Sequence, residues 1–155
     1  MENTIANIIR GNFPDIQMQD SRGMLTIQTE KKSLPNILKF LKETPLLYFD
    51  HLSNITAVDK IADNIFELIY HLFSKENKVY IAIKTNIPRD QAEMSSITSL
   101  WRAADWLERE VYDMFGIKFT GHPDLRRILM WDGYEGFPLR KDFTSPEIIK
   151  LPEVR

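Results

Sequence analysis

Residues 106–129, WLEREVYDMFGIKFTGHPDLRRIL, gather side chains able to do chemistry. Glu108, Glu110 and Asp113 suit acid–base work, His122 suits a general base, and Arg109, Arg126 and Arg127 suit anion binding. Paired carboxylates must face one substrate to act together. Glu108 and Glu110 stand two residues apart on a helix, so at 100° per residue they diverge by roughly 200°. Asp113 shares the general side of Glu110, a spacing equally common on solvated helix faces. His122 precedes Pro123 at an expected helix start, where fixing the turn or donating a hydrogen bond suits it better than proton transfer. No Ser–His–Asp grouping accompanies it, and the six glycines form neither a phosphate loop nor G-x-G-x-x-G.

Composition narrows the chemistry further. The chain has no cysteine, which removes thiol nucleophiles, disulfides, Cys-ligated zinc and all-Cys iron–sulfur clusters. His51, His71 and His122 lack metal-ligand spacing. A net charge of −2 argues against nucleic acid as a partner. The expectation is no catalytic, cofactor-binding or metal-binding residue on this chain. With 155 residues, 43% hydrophobic and 27% charged, it suits one core and a tail. No apolar run approaches the roughly 20 residues of a membrane span, and the N-terminus lacks signal-peptide character, so a cytoplasmic location is expected.

Several elements must position the charged stretch. Ile5, Ile8 and Ile9 recur at helical spacing, and DIQMQ and MLTIQT flank the turn DSRG as a hairpin. Leu34, Ile37, Leu38 and Leu41 mark a helix from Ser33, with Pro35 in its first turn and Pro45 beyond its end. Residues 53–59 read as a strand. Phe66, Leu68, Tyr70 and Leu72, then Val79, Ile81 and Ile83, alternate with other residues around SKEN as a second hairpin. A helix over 98–115 is expected to end at Gly116, and HPDLRRIL to form a brief further helix. The predicted fold is α+β: an antiparallel or mixed sheet with helices packed on one face over residues 1–129. Residues 130–155, with Trp131, Tyr134, Phe137, Phe143 and several prolines, form an extended partner-binding tail.

On the long helix, Trp101, Ala104, Leu107, Val111, Met114 and Phe115 share one arc, and Glu108 projects within it. A carboxylate there needs a cation or several donors, and Arg126 or Arg127 is the expected partner. Trp106 projects away beside Arg102, Arg109 and Asp113, as an interface anchor would. Arg140, Lys141 and Asp142 read as a solvated run, or as a partner contact given their aromatic surroundings.

ADWLEREVYDMFGIKFTGHPDLRRIL, followed by GFPLRKDF, resembles the signature of the 30-kDa-type (C-type) subunit of proton-pumping NADH:quinone oxidoreductase, respiratory complex I. The resemblance implies an α+β subunit of the peripheral arm without flavin, iron–sulfur cluster or quinone site of its own. It implies packing on the large quinone-module subunit, which resembles nickel–iron hydrogenases, and on other peripheral-arm subunits, with the tail crossing that partner. Membrane association is then indirect, on the cytoplasmic side. Glu108, Arg109, Glu110, Asp113, Gly116, His122, Pro123, Arg126, Arg127, Pro138, Arg140, Lys141 and Asp142 match signature positions. Trp106, Phe115 and Asp124 join them as structural or interface residues. Thr144 stands where many members carry proline. The implied role is a non-catalytic assembly subunit, with electron transfer and proton translocation belonging to the whole complex. The alternative is the homologous subunit of a membrane-bound nickel–iron hydrogenase or ferredoxin-dependent relative. A stand-alone enzyme using Glu108, Asp113 or His122 is the third reading.

Overall fold

A computed structural model describes residues 2–146. Residues 147–155 of the expected tail, Pro152 among them, lie outside the described residues. Helix α1 (Glu2–Asn12) leads into the hairpin β1 (Gln17–Ser21) and β2 (Met24–Gln28). Helix α2 (Leu34–Glu43) is followed by β3 (His51–Lys60), β4 (Ile65–Ser74) and β5 (Val79–Pro88). Then come β6 (Glu93–Ser95), α3 (Ala104–Phe115) and β7 (Lys118–Thr120). Five strands form one sheet in the order β1-β2-β5-β4-β3, while β6 and β7 pair separately. Pairing is antiparallel except β2 with β5 and β6 with β7, so the main sheet is mixed.

Local chemistry explains both hairpins. Arg22 and Gly23 have positive φ, and Gly23 N–H donates to Asp20 Oδ1 at 2.8 Å, which matches the twist a tight hairpin needs. At the β4–β5 turn, the Asn77 amide donates to Leu46 O (3.2 Å) and Leu47 O (2.9 Å), tying the turn to the loop after α2. Alternation sends Phe66, Leu68, Tyr70 and Leu72 inward, opposite Ile81, Ile83 and Ile87. In β3 the buried residues Leu52 and Ile55 stand three apart, breaking that parity. A register shift between Leu52 and Asn54 restores it. Ile5 and Ile9 of α1, Leu34, Ile37, Leu38 and Leu41 of α2, and Val111, Met114 and Phe115 of α3 join the inward sheet residues in one core. The fold is the α+β class expected.

Two helices differ from the sequence reading. The long helix starts at Ala104, not residue 98. Residues 97–103 make successive turns, with Trp101 N–H on Ile97 O (3.1 Å) and Ala104 N–H on Trp101 O (3.0 Å). The stretch HPDLRRIL forms no helix, because the amides of its last residues are used elsewhere. Ile128 and Leu129, with Met130 after them, donate to Asp113 instead of to preceding carbonyls.

The Tyr70 hydroxyl is buried without a hydrogen-bond partner among the described residues, and burial pushes its pKa far above the usual tyrosine value. An orphaned buried hydroxyl costs stability. Tyr70→Phe is expected to raise stability by about 1 kcal/mol, read as a higher denaturant midpoint at unchanged slope. A lower midpoint would show that the hydroxyl is satisfied.

Candidate functional site

Gly116 ends α3 with φ of 73° and its N–H on Tyr112 O (2.8 Å), so the chain turns back. After β7 it runs beside α3 in the same direction. His122 reaches Asp105 O (3.0 Å) and Arg109 Nε donates to Arg126 O (3.3 Å), and residues 127–130 then meet Asp113. Keeping step with a helix that rises about 1.5 Å per residue forces the segment into turns rather than full extension.

Asp113 is the hub. Its buried carboxylate accepts from Arg127 Nη1 (2.7 Å) and from the N–H groups of Ile128 (3.1 Å), Leu129 (2.7 Å) and Met130 (2.9 Å). Burial raises its pKa, but the Met130 amide, Arg127 and the other two amides outweigh it and hold the group below the ordinary aspartate range. Arg127 also donates to Asp113 O (3.1 Å) and Gly136 O (2.8 Å), and lies over the rings of Phe137 and Tyr134.

Glu108 is fully buried, as its helical angle suggests, but neither Arg126 nor Arg127 reaches it. Arg127 serves Asp113, and Arg126 pairs with Asp124 on the surface at 2.9 Å. Five residues along a helix turn the side chain by about 140°, so Glu108 and Asp113 face different neighbours. Glu108 Oε1 accepts from Ile97 N–H and Oε2 from the Ser96 hydroxyl, each at 2.7 Å. Burial is the largest influence on Glu108 and raises its pKa despite these donors. His122 Nε2 lies 4.0 Å from Glu108 Oε2. His122 Nδ1 accepts the Asp124 N–H (3.0 Å), so Nε2 carries the proton and donates to Asp105 O. Both ring nitrogens are therefore committed to holding the turn.

The other expected residues divide between surface and seam. Trp106 is 62% exposed and caps the guanidinium of buried Arg109 at 4.7 Å. Glu110, Pro123 and Asp124 are exposed, while Phe115 packs edge-on against Phe66. Pro138 is half-buried between Phe137, whose ring covers Gly116, and Leu139, whose N–H donates to Met114 O (3.0 Å). Arg140 Nε donates to Phe115 O (2.6 Å), so the tail satisfies carbonyls that the end of α3 leaves open. Lys141 N–H donates to buried Asp59 (2.9 Å), and Asp142 pairs with Arg89 (2.7 Å), which also lies 3.0 Å from Asp59. Asp59, Arg89 and Ser96 escaped the sequence reading. Asp59 had one visible signal, its inward parity with Ile55 and Ala57 on β3.

Glu108, Asp113 and His122 do not converge on a shared cleft. A cleft of about 630 Å³ near the end of α3 is lined instead by residues that include Arg89, Tyr112, Lys118, Phe137 and Arg140. Large apolar side chains lie outside on the same C-terminal third: Trp106, Leu129 (57% exposed), Trp131 (62%) and Leu139 (54%). The family described as the 30 Kd subunit of respiratory-chain NADH dehydrogenase matches residues 27–148.

The chain belongs to that family.

It is 45% identical over 124 residues to the C 2 subunit of NADH-quinone oxidoreductase from Rhizobium meliloti (strain 1021), covering 79% of this chain and 68% of that one. The protein of the same name from Rhizobium etli (strain CIAT 652) is 52% identical over 106 residues. The match covers 68% of this chain but spans 56% of that relative's length. Among solved structures, a component of the membrane-bound sulfane sulfur reductase, an archaeal respiratory membrane complex, superposes with a TM-score of 0.81 at 29% identity. That likeness covers 94% of this chain and 86% of the other. A trypsin-resistant fragment of Nqo5 gives 0.69 at 25% identity, covering 79% of this chain and 98% of the fragment.

The two carboxylates predict opposite pH behaviour. Asp113, held low when folded, contributes stability above its ordinary value of 3.8 that is lost as pH falls through the lower folded value. Glu108, raised when folded, loses stability as pH rises from its ordinary value of 4.5 through the higher folded value. Asp113→Asn is expected to cost about 3 kcal/mol at neutral pH and flatten the acid limb of the stability profile. Glu108→Gln is expected to cost less and flatten the decline above pH 4.5. Equal costs at neutral pH would contradict this division of roles.

Proposed function

We propose that this chain is a non-catalytic assembly subunit of the peripheral arm of a membrane-associated NADH:quinone oxidoreductase. The observation that carries the reading is the pairing of inward and outward groups on one segment. Of the charged groups expected to do chemistry, Arg109, Asp113, His122 and Arg127 are consumed in holding residues 122–130 to α3, and Glu108 in holding residues 96–97 to it. Trp106, Leu129, Trp131 and Leu139 are left facing outward. Exposed apolar side chains on a rigid support are what a docking face presents. The partner in this reading is the large hydrogenase-like quinone-module subunit, with other peripheral-arm subunits around it. Flavin, iron–sulfur clusters and quinone chemistry reside on those neighbours. None of the described helices is long and apolar enough to cross a membrane. In this reading attachment, on the cytoplasmic side, runs through the complex.

A second reading has its own support. The 0.81 superposition covers nearly all of this chain and belongs to a different respiratory membrane complex. The corresponding subunit in a hydrogenase-like or ferredoxin-dependent relative would present a similar body. The names of the relatives at 45% and 52% identity favour the NADH-dependent complex.

Purification in mild detergent separates these readings. The chain is expected to co-purify with an assembly that reduces quinone with NADH. An assembly that accepts electrons from reduced ferredoxin and ignores NADH would favour the second reading. Leu129→Ser and Leu139→Ser should each leave the isolated chain's stability within about 0.5 kcal/mol of the parent. Each should weaken incorporation by about 2 kcal/mol, roughly thirtyfold. Full incorporation of both variants would sink the docking role.

A further inference from the structure

Arg140 is half-buried, and among the described residues it enters no ion pair. Its Nε is used on Phe115 O, and its guanidinium lies over the rings of Phe66 (5.2 Å) and Phe137 (4.9 Å). Arg89 lies over the same Phe66 ring at 5.3 Å. The two cations are treated differently. Arg89 is neutralised by Asp59 and Asp142, whereas the terminal amino groups of Arg140 have no acceptor among the described residues. A half-buried guanidinium beside a second one is an electrostatic cost that an anion would relieve. Burial first, and the charge of Arg89 second, hold the Arg140 pKa below its ordinary value, outweighing the opposite pull of Asp142 and Asp59, which Arg89 already engages.

Arg140 lines the 630 Å³ cleft, with Phe137, Tyr112 and Gly116 beside it and Lys118 on the same lining. Asp90 and Glu93 line it too and are exposed. These acids oppose a polyanion such as a phosphate-rich ligand, while a single carboxylate on a flexible side chain or chain end can pass them. The planar fork of two terminal amino groups matches a carboxylate bidentately. Leu139, next to Arg140 in the chain, is exposed and belongs to the docking face.

We propose that this cleft receives a carboxylate from a neighbouring subunit, gripped by Arg140 with Lys118 beside it. The proposal rests on the docking reading above and names the chemistry of one contact within it.

The test is zero-length cross-linking of the complex purified in mild detergent. A water-soluble carbodiimide joins an amine to a carboxylate it touches. The unmodified complex is expected to give an amide between Lys118 and an Asp, Glu or C-terminal carboxylate of another subunit, located by peptide mass spectrometry. The Arg140→Lys complex is expected to give the same partner residue joined through position 140. In competition against the parent chain, Arg140→Gln should incorporate at least tenfold less and Arg140→Lys several-fold better than Arg140→Gln. A thermal melt matching the parent assigns that loss to the contact and not to folding. Cross-links confined to this chain's own Asp90, Glu93 or Asp142, from an intact complex, would overturn the proposal and leave the docking reading standing. So would saturable binding of inorganic phosphate or acetate to the isolated chain with no inter-subunit cross-link. Absence of the chain from any multi-subunit assembly would instead remove the docking reading itself.

Discussion

Asp113 accepts hydrogen bonds from four donors spread over residues 127–130, and the rest of the C-terminal third is placed by that capture. Three successive amides cannot converge on one oxygen while also closing helical hydrogen bonds, so the segment is locked as turns. Once locked, it delivers Arg127 to Gly136 O and sets Phe137 over Gly116, where a Cβ would come within 2.5 Å of the ring. The glycine therefore serves twice: its positive φ ends α3, and its missing side chain admits the tail. Leu139 and Arg140 then reach the last carbonyls of α3, and Lys141 reaches Asp59 at the end of β3. The α3 helix and the tail thereby satisfy each other's polar groups.

Two buried carboxylates on one helix meet burial differently, and the contrast separates a seam from a plug. Asp113 has a cation and three amides, enough donors to keep the charged form favoured despite desolvation. Glu108 has one amide and one hydroxyl, and desolvation wins. Its neighbourhood is committed in turn: His122 is bonded on both ring nitrogens, and the Tyr70 hydroxyl nearby has no partner among the described residues. A carboxylate and an imidazole this close invite an acid–base reading. Yet their partners are backbone groups and Ser96 of the same chain, so the pair joins α3 to the turns that follow β6 and β7.

The hairpins were legible because alternation and turn chemistry are local. Residues 65–74 and 79–88 alternate on both sides of a polar turn, and 20–23 carry turn residues suited to positive φ. The parallel join of β2 to β5 was not legible, since alternating strands do not reveal which edge they meet. Helical angle placed Glu108 inside and Trp106 outside, and both stand there. It could not name the partner of Glu108. That partner is an amide and a hydroxyl brought in by residues 96–97, and neutral donors leave no charge pattern to read. The charge pattern pointed at two arginines instead, and a long-range competitor, Asp113, had already taken one. The same competitor removed the helix expected over HPDLRRIL, a case of tertiary hydrogen bonding overriding local propensity.

Dense charge in a short stretch is usually taken as a sign of catalysis, but a segment without its own core meets a different requirement. Residues 130–142 form no helix or strand, so each backbone group they bury needs a partner from outside the segment. Charged side chains with several donors or acceptors meet that need most economically, which is why Asp113, Arg127, Asp59 and Arg140 each bond main-chain groups across the seam. A tail fastened largely this way, with Phe137 and Met130 as its apolar contacts, leaves Leu139 and Trp131 free to face outward. The polar fastening and the apolar docking face thus follow from one constraint: an irregular segment must be rigid before it can bind anything with little entropic loss.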